Sequence, residues 1–388
     1  MRGVTIASMQ VQLHTLQDAV RQAAAERKVL RLRGGGTKDF LGQDLHGEVL
    51  ETRSYAGIIS HEPSELVITA RAGTPLAEVE AVLASKGQCL AFEPPHFGPQ
   101  ATVGGMVAAG LSGPARASVG AVRDFILGAR FINGKGEDLT FGGQVMKNVA
   151  GYDVSRLLAG SWGTLGIITE VSLKVLPVAP AEATLMCAGL AQAEALELLH
   201  RWGGQPLPLN ASAWVHDTTA QPAQDMLFVR LRGALAAVAS AVGTMTADAQ
   251  ALGAQVTHMD NAQVAADWVA SREQTLPFFT PPSDALCLWR LSVPQTAPVL
   301  NLPYAQYIEW HGAQRWLWAP ASAAEALRET TQRVGGHATL MRTSRSAGDA
   351  DKQVGVFSPM SAVLQRIQRD LQQQFDPHGV FATGRMGA

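Results

Sequence analysis

The sequence predicts an α+β protein built in two parts, and three observations point that way. Residues 98–166 hold 15 of the 38 glycines, about twice the share of even spacing, so this stretch is rich in loops that expose backbone. Short helix-like and strand-like runs alternate on either side of it. After Pro180 glycine thins, alanine rises, and amphipathic helices stand beside short strands, the pattern of an antiparallel sheet with helices. The expected parts are 1–180, 181–355 and a C-terminal segment 356–388.

Taken in order, "QDAVRQAAAERK" reads as a helix and "VLRLR" as a strand that runs into the glycine cluster "RGGGT". "ELVITARAG" reads as a second strand. Thr74-Pro75 then gives a helix its N-cap and first turn, and Gly87 stops it. Pro94-Pro95 marks a turn, after which Gly104-Gly105 opens an Ala/Gly-rich segment. "FILGARFING" is a strand leading into a Gly-Lys-Gly hairpin. "MKNVAGYDVSRLLAG" holds a short helix, and glycines 160, 163 and 166 turn the chain into a long alternating strand.

Beyond Pro180, "AQAEALELLHRW" and "GALAAVASAVGTMTADAQAL" have helical periodicity. "SAWVHD", "MLFVRLR", "ALCLWRLSV", "RWLWAP" and "HATLMR" read as strands. Ser322 with Glu325 forms a capping box for a helix ending at Gly335-Gly336, and a last helix begins at Ser358-Pro359.

Composition narrows the function. With 47% hydrophobic and 16% charged residues the chain is an ordinary globular protein, and a net charge of −2 gives no reason to expect nucleic acid as a partner. No apolar run approaches the ~20 residues of a spanning helix, and the N-terminus lacks the compact apolar core of a secretory signal. Cys89, Cys187 and Cys287 lie far apart, which excludes a sequence-local zinc or iron–sulfur cluster and suits a reducing, cytoplasmic setting.

Three glycines in a row at 34–36 mark either a tight turn or a backbone that meets a ligand closely. The Walker A pattern fails, because Lys38 is followed by Asp39. The Rossmann pattern fails too, because Asp39 stands at its last glycine position. Glycine turns at three separated places suggest one extended ligand crossing several loops, or a glycine-rich fold with none.

The set "RGGGT", "ATVGGMVAAGLSGP", "GAVRDFILG", "MKNVAGYDVSRLLAGSWGTLGIITE" and "FDPHGVFATGRM" resembles the vanillyl-alcohol-oxidase type (PCMH-type) FAD-binding family. With "EPPHFG", "REQTLPFF", "LWRLSVP" and "GGHAT" included, the resemblance is to the smaller flavin subunits of bacterial glycolate-oxidising complexes, over nearly the whole chain. It implies a two-part FAD-binding domain, an α+β cap and a C-terminal segment returning to the FAD domain. It also implies that Gly34, Gly35, Gly36 and Thr37 wrap the FAD pyrophosphate. Thr102, Gly104, Gly105, Gly110 and Ser112 would then lie along flavin and phosphates, Gly163, Gly166 and Ile168 at the adenosine end, and Arg385 near the flavin. Relatives usually read Asn-Pro-Gly where this chain has Ala382-Thr383-Gly384. Thr37 and Gln100 stand where some members tether flavin covalently; neither can form the bond, so FAD is expected to be non-covalent.

The implied reaction is oxidation of glycolate to glyoxylate, with electrons passed on through a larger FAD subunit and an iron–sulfur subunit. Any membrane contact would come through that complex. A 2-hydroxy acid needs a cationic clamp and a base: Arg272 is a candidate clamp, His337 a candidate base, and His96 a third possibility. Each of the three also suits a purely structural role, Arg272 in an ion pair and His337 in a turn. The histidine-rich metal motif of related dehydrogenases is missing; "GGHATLMRTS" carries one histidine, and no metal is expected. A free-standing D-2-hydroxy-acid dehydrogenase and a scaffold subunit without flavin are the alternative readings.

Overall fold

A computed structural model of the protein describes residues 6–143, 153–219 and 221–387, so most of the "MKNVAGYD" motif lies outside the described residues. The chain divides into two compact units, one of Met1–Leu111, Ala121–Pro177 and Pro359–Ala388, the other of Ser112–Gly120 and Val178–Ser358.

The first unit opens with helix Ile6–Glu26, which is longer than the periodic stretch suggests. Met9, Leu13, Leu16, Val20 and Ala23 recur every three or four residues and form its buried stripe. The stripe packs on Leu30, Tyr55, Ile132, Ile167, Val380 and Phe381, each large apolar side chain contributing about 1.5–3 kcal/mol when fully buried. Strand Leu30–Arg33 pairs in parallel with Glu48–Glu51. A separate five-stranded sheet runs in the order Ile58–Glu62, Val67–Arg71, Ile167–Lys174, Ile126–Ile132 and Asp138–Gly142, antiparallel throughout. Ile167–Lys174 is buried at six of its eight positions rather than at alternate ones, because as the central strand it is covered on both faces.

Three caps differ from the sequence expectation. Helix Leu76–Ala84 is capped by Pro75, while the Thr74 hydroxyl donates to Arg71 O and accepts from Gly57 N–H, fastening a neighbouring turn. Helix Ala324–Arg333 is reached through a 3₁₀ turn, Ala321–Ala323, so Ser322 sits inside the turn and caps nothing. The last helix, Ala362–Phe375, is capped by Ser361, whose Oγ accepts from Leu364 N–H. Ser358 instead bonds both backbone groups of Ala338 on an adjoining strand edge.

After that helix the tail is held by Asp376. Its buried carboxylate accepts from Val380 N–H at 2.8 Å and Phe381 N–H at 2.7 Å. The Val380 carbonyl then accepts from Leu30 N–H at 2.7 Å, fixing the tail to the strand that leads into the first glycine loop.

The second unit is an eight-stranded antiparallel sheet. Its order is Gln255–Met259, Ala181–Ala188, Gln224–Gly233, Leu209–Asp217, Gln306–Glu309, Gln314–Ala319, Cys287–Ser292 and His337–Arg342. Helices Gln192–Gly203 and Leu235–Ala251 cover one face over a core that includes Leu185, Cys187, Trp214, Leu227 and Val229. The register sets Arg230, Tyr307, Trp316 and Arg290 on the opposite, more polar face.

Segment 112–120 is latched into this unit by two left-handed residues, Trp310 and His311 (φ 54° and 56°). Trp310 Nε1–H donates to Gly113 O at 2.9 Å, and Arg116 lies 4.5 Å above its ring. Ser118 spends its proton on Leu209 O, so it accepts from His311 Nε2–H; Ser212 donates to His311 Nδ1 and accepts from His311 N–H. This arrangement requires a neutral ring, and burial pushes the His311 pKa down to about 4.

Two outcomes are expected. Asp376→Ala strips two buried amides of their acceptor and should cost about 2–3 kcal/mol in a urea titration. His311 has a folded pKa below its unfolded value near 6.5, so its contribution is present above that pH and lost as pH falls towards 4. Stability should drop on the order of 3 kcal/mol across this window, and less in His311→Asn, as read by urea midpoints.

Candidate functional site: a glycine-lined groove

Three loops of the first unit meet in one groove. The first follows strand Leu30–Arg33, where Gly34, Gly35, Gly36 and Thr37 present four consecutive N–H groups with no backbone acceptor among the described residues. Buried or half-buried amides are almost always paired, so a run of four open donors is suited to an anion. A Cβ on Gly35 would overlap the carbonyl oxygen of Gln100, and one on Gly34 would come 2.6 Å from Thr102 Oγ1. The glycines therefore allow the first loop to press against the second. Gly36 has φ +70°, the left-handed region that favours glycine.

The second loop contributes Thr102, Gly104 and Gly105. Thr102 Oγ1 accepts from Gly105 N–H at 3.2 Å and caps helix Val103–Ala109. Gly104 N–H reaches Ala72 O on the five-stranded sheet's loop at 2.8 Å. The third loop contributes Trp162, Gly163, Gly166 and Ile168, at the start of the central strand.

Arg385 closes the groove from the tail. Its guanidinium donates to Lys38 O at 2.9 Å and Leu41 O at 3.0 Å and lies 4.8 Å above the Trp162 ring. It braces the first loop, and its burial holds its pKa below the usual arginine value. Lys38 Nζ in turn donates to His96 O at 3.2 Å. At the groove's rim Arg33 is held by Asp39 at 2.8 Å and Glu51 at 3.4 Å.

Eleven of the residues expected at the cofactor thus line one groove: Gly34, Gly35, Gly36, Thr37, Thr102, Gly104, Gly105, Gly163, Gly166, Ile168 and Arg385. Gly110 and Ser112 do not. Gly110 ends helix Val103–Ala109 in a left-handed cap, and Ser112 begins the segment counted with the second unit. The Gln100 side chain accepts from Arg53 at 3.1 Å, so the chain at this point contributes its backbone to the first loop.

The candidate substrate residues fall elsewhere. His96 faces Glu80, Nε2 to Oε2 3.0 Å, and does not line the groove. Arg272, at the end of helix Asn261–Glu273, is tied to Glu273 at 2.8 Å. His337 opens an edge strand of the second unit, where desolvation and then the charge of Arg290 hold its pKa below the usual histidine value. Sequence reading did not single out Arg290. Its Nε is shut off from water with no hydrogen-bond partner, and no carboxylate pairs with it among the described residues. Burial, then the charge of Arg116, pushes its pKa down to about 10. A guanidinium with a buried N–H that has no acceptor is costly, and a carboxylate is a ligand that would relieve it.

A groove of open amides on a two-unit α+β fold is suited to an extended, phosphate-bearing cofactor. Residues 12–152 match the FAD binding domain family. The chain is 44% identical to glycolate oxidase subunit GlcE of Escherichia coli (strain K12) over 96% of its own length and 97% of that protein. It is 32% identical to glycolate oxidase subunit GlcD of Bacillus subtilis (strain 168) and 31% identical to a D-lactate dehydrogenase of Archaeoglobus fulgidus. Those matches cover 36% and 41% of this chain and 30% and 36% of the relatives. The solved structure of alkyldihydroxyacetonephosphate synthase shares the fold, with a TM-score of 0.67 at 15% identity over 95% of this chain and 74% of that one. The chain belongs to the FAD-binding oxidoreductase family that includes glycolate oxidase subunit GlcE.

Gly35→Val should leave the chain folded but unable to retain FAD, because the first and second loops can no longer touch. The check is flavin absorbance per protein after desalting, expected below about a tenth of wild type, beside an unchanged far-ultraviolet circular dichroism spectrum.

Proposed function

We propose that this chain is a flavin-carrying subunit of a complex that oxidises glycolate to glyoxylate. FAD would be held non-covalently: the amides of residues 34–37 take its diphosphate, the loops at 102–105 and 163–168 its remaining length, and Arg385 keeps the first loop in place. Bound FAD supplies a hydride acceptor. The observation that carries the reading is the run of four open amides in a chain that is similar to a glycolate oxidase subunit from end to end. Thr37, at a position where a tether would form, has no side chain capable of one.

The protein's own contribution to substrate would come from the second unit. Arg290 and Arg116 supply the positive charge that a 2-hydroxy carboxylate needs, and His337, kept neutral near pH 7, can accept the hydroxyl proton. Arg290 is preferred to Arg272 as the clamp because Glu273 already occupies the latter. The expected partners are a larger FAD subunit and an iron–sulfur subunit that carries electrons onward, all in the cytoplasm. Among the described residues no helix is long and apolar enough to cross a membrane.

The test is the visible spectrum of the purified chain before and after anaerobic addition of glycolate. Acid-released FAD with bands bleached by glycolate supports a subunit that oxidises substrate itself. Flavin that glycolate leaves oxidised, but that bleaches once the other subunits are added, supports the electron-carrying role. A colourless chain that takes up no FAD overturns the reading. If the chain turns over, Arg290→Gln should raise KM for glycolate at least about tenfold with FAD content unchanged, while Arg272→Gln leaves KM as it was.

A further inference from the structure

The second unit contains a cavity of about 350 Å³, within the range of small-molecule sites, whose chemistry suits neither FAD nor a hydroxy acid. Its floor is the polar face of the sheet, with Ala213, Val215, Phe228 and Tyr307. Its wall is helix Asn261–Glu273 with the turn that follows, which supplies Trp268 and Phe278.

Rings make up much of the lining, and they are fixed before any ligand arrives. Phe278 and Tyr307 lie 5.5 Å apart with their planes 31° from parallel. Trp268 is pinned by its Nε1–H to Thr184 Oγ1 at 3.1 Å and by the Arg230 guanidinium 4.8 Å over its ring. Tyr307 has a defined polarity. Ser271 donates to Glu309 Oε1 at 2.8 Å, so at 3.0 Å it must accept from the Tyr307 hydroxyl. What the phenol leaves to a ligand is oxygen lone pairs.

The charged lining is two carboxylates, Asp217 and Asp267, beside His216. Among the described residues no lysine or arginine lines the cavity. His216 is occupied by Asp225 at 2.7 Å, and Asp217 by the backbone and hydroxyl of Thr219. Asp267, at the rim, is left without a hydrogen-bond or ion-pair partner among the described residues. A carboxylate ligand would meet these acceptors with no cation to offset them. An ammonium ion would meet a free carboxylate beside aromatic faces, which attract cations through their quadrupoles.

We propose that this cavity binds an arylalkylamine, its ring packed among Trp268, Phe278 and Tyr307 and its ammonium group on Asp267. This proposal does not rest on the reading of the flavin groove.

Calorimetric titration of the full chain with 2-phenylethylamine, 2-phenylethanol and phenylacetate tests this. The amine should bind one per chain, the alcohol more weakly, and phenylacetate not at all. Asp267→Asn, an exposed position whose change leaves the fold intact, should weaken the amine about tenfold and leave the alcohol unchanged. Phe278→Ala should weaken both, with the thermal midpoint recorded as a control for folding. The proposal is overturned if no probe binds, if phenylacetate binds as well as the amine, or if Asp267→Asn leaves the amine's affinity unchanged. Flavin content plays no part in this readout, so a chain without FAD that binds the amine upholds this site while failing the flavin reading.

Discussion

Everything at the groove depends on how closely two stretches of backbone approach each other. Gly34 and Gly35 lie so near Thr102 and the Gln100 carbonyl that no Cβ fits between the loops. With the first loop seated there, four consecutive amides have no backbone acceptor among the described residues, where a fold normally pairs such donors. The cost of leaving them open is met by packing elsewhere: the buried stripe of the N-terminal helix, the tail residues Val380 and Phe381, and the Arg385 guanidinium.

The sequence made much of this legible, for identifiable reasons. Consecutive glycines and a threonine before Gly104-Gly105 are local signals, and local signals survive without knowledge of the fold. Arg385 was placed near the cofactor by resemblance, but its bond to the Lys38 carbonyl spans 347 residues and could not be read from either end. Gly110 and Ser112 show the limit of the same reasoning. They continue a motif in sequence, yet Gly110 is used for a helix cap and Ser112 for a connection.

The second unit was harder to read. Strand Ala181–Ala188 has alanine, a poor strand former, at three of its eight positions, and forms because it is held between Gln224–Gly233 and Gln255–Met259. Strand Gln306–Glu309 is four residues long and offers no periodicity. Arg290 sits in the quoted run "LWRLSV", but a lone arginine in a strand carries no sign that its guanidinium will be buried beside Arg116. Burial of charge is a tertiary property. Helix Asn261–Glu273 was not read from the sequence, although Asp260 caps it, its carboxylate accepting from Ala262 and Gln263 N–H.

The tail has a consequence for how the protein is made. Synthesis runs from the N-terminus, and domains generally fold as their residues emerge. Here Leu30 waits for Val380, and the Lys38 carbonyl waits for Arg385. The whole second unit is translated between the two halves of those bonds. The glycine loop must therefore spend most of the chain's synthesis without its brace, with its contacts among the most non-local that a chain of this length can form. Bracing of the groove is in this sense a late event of biosynthesis: it waits until Val380 and Arg385 have left the ribosome.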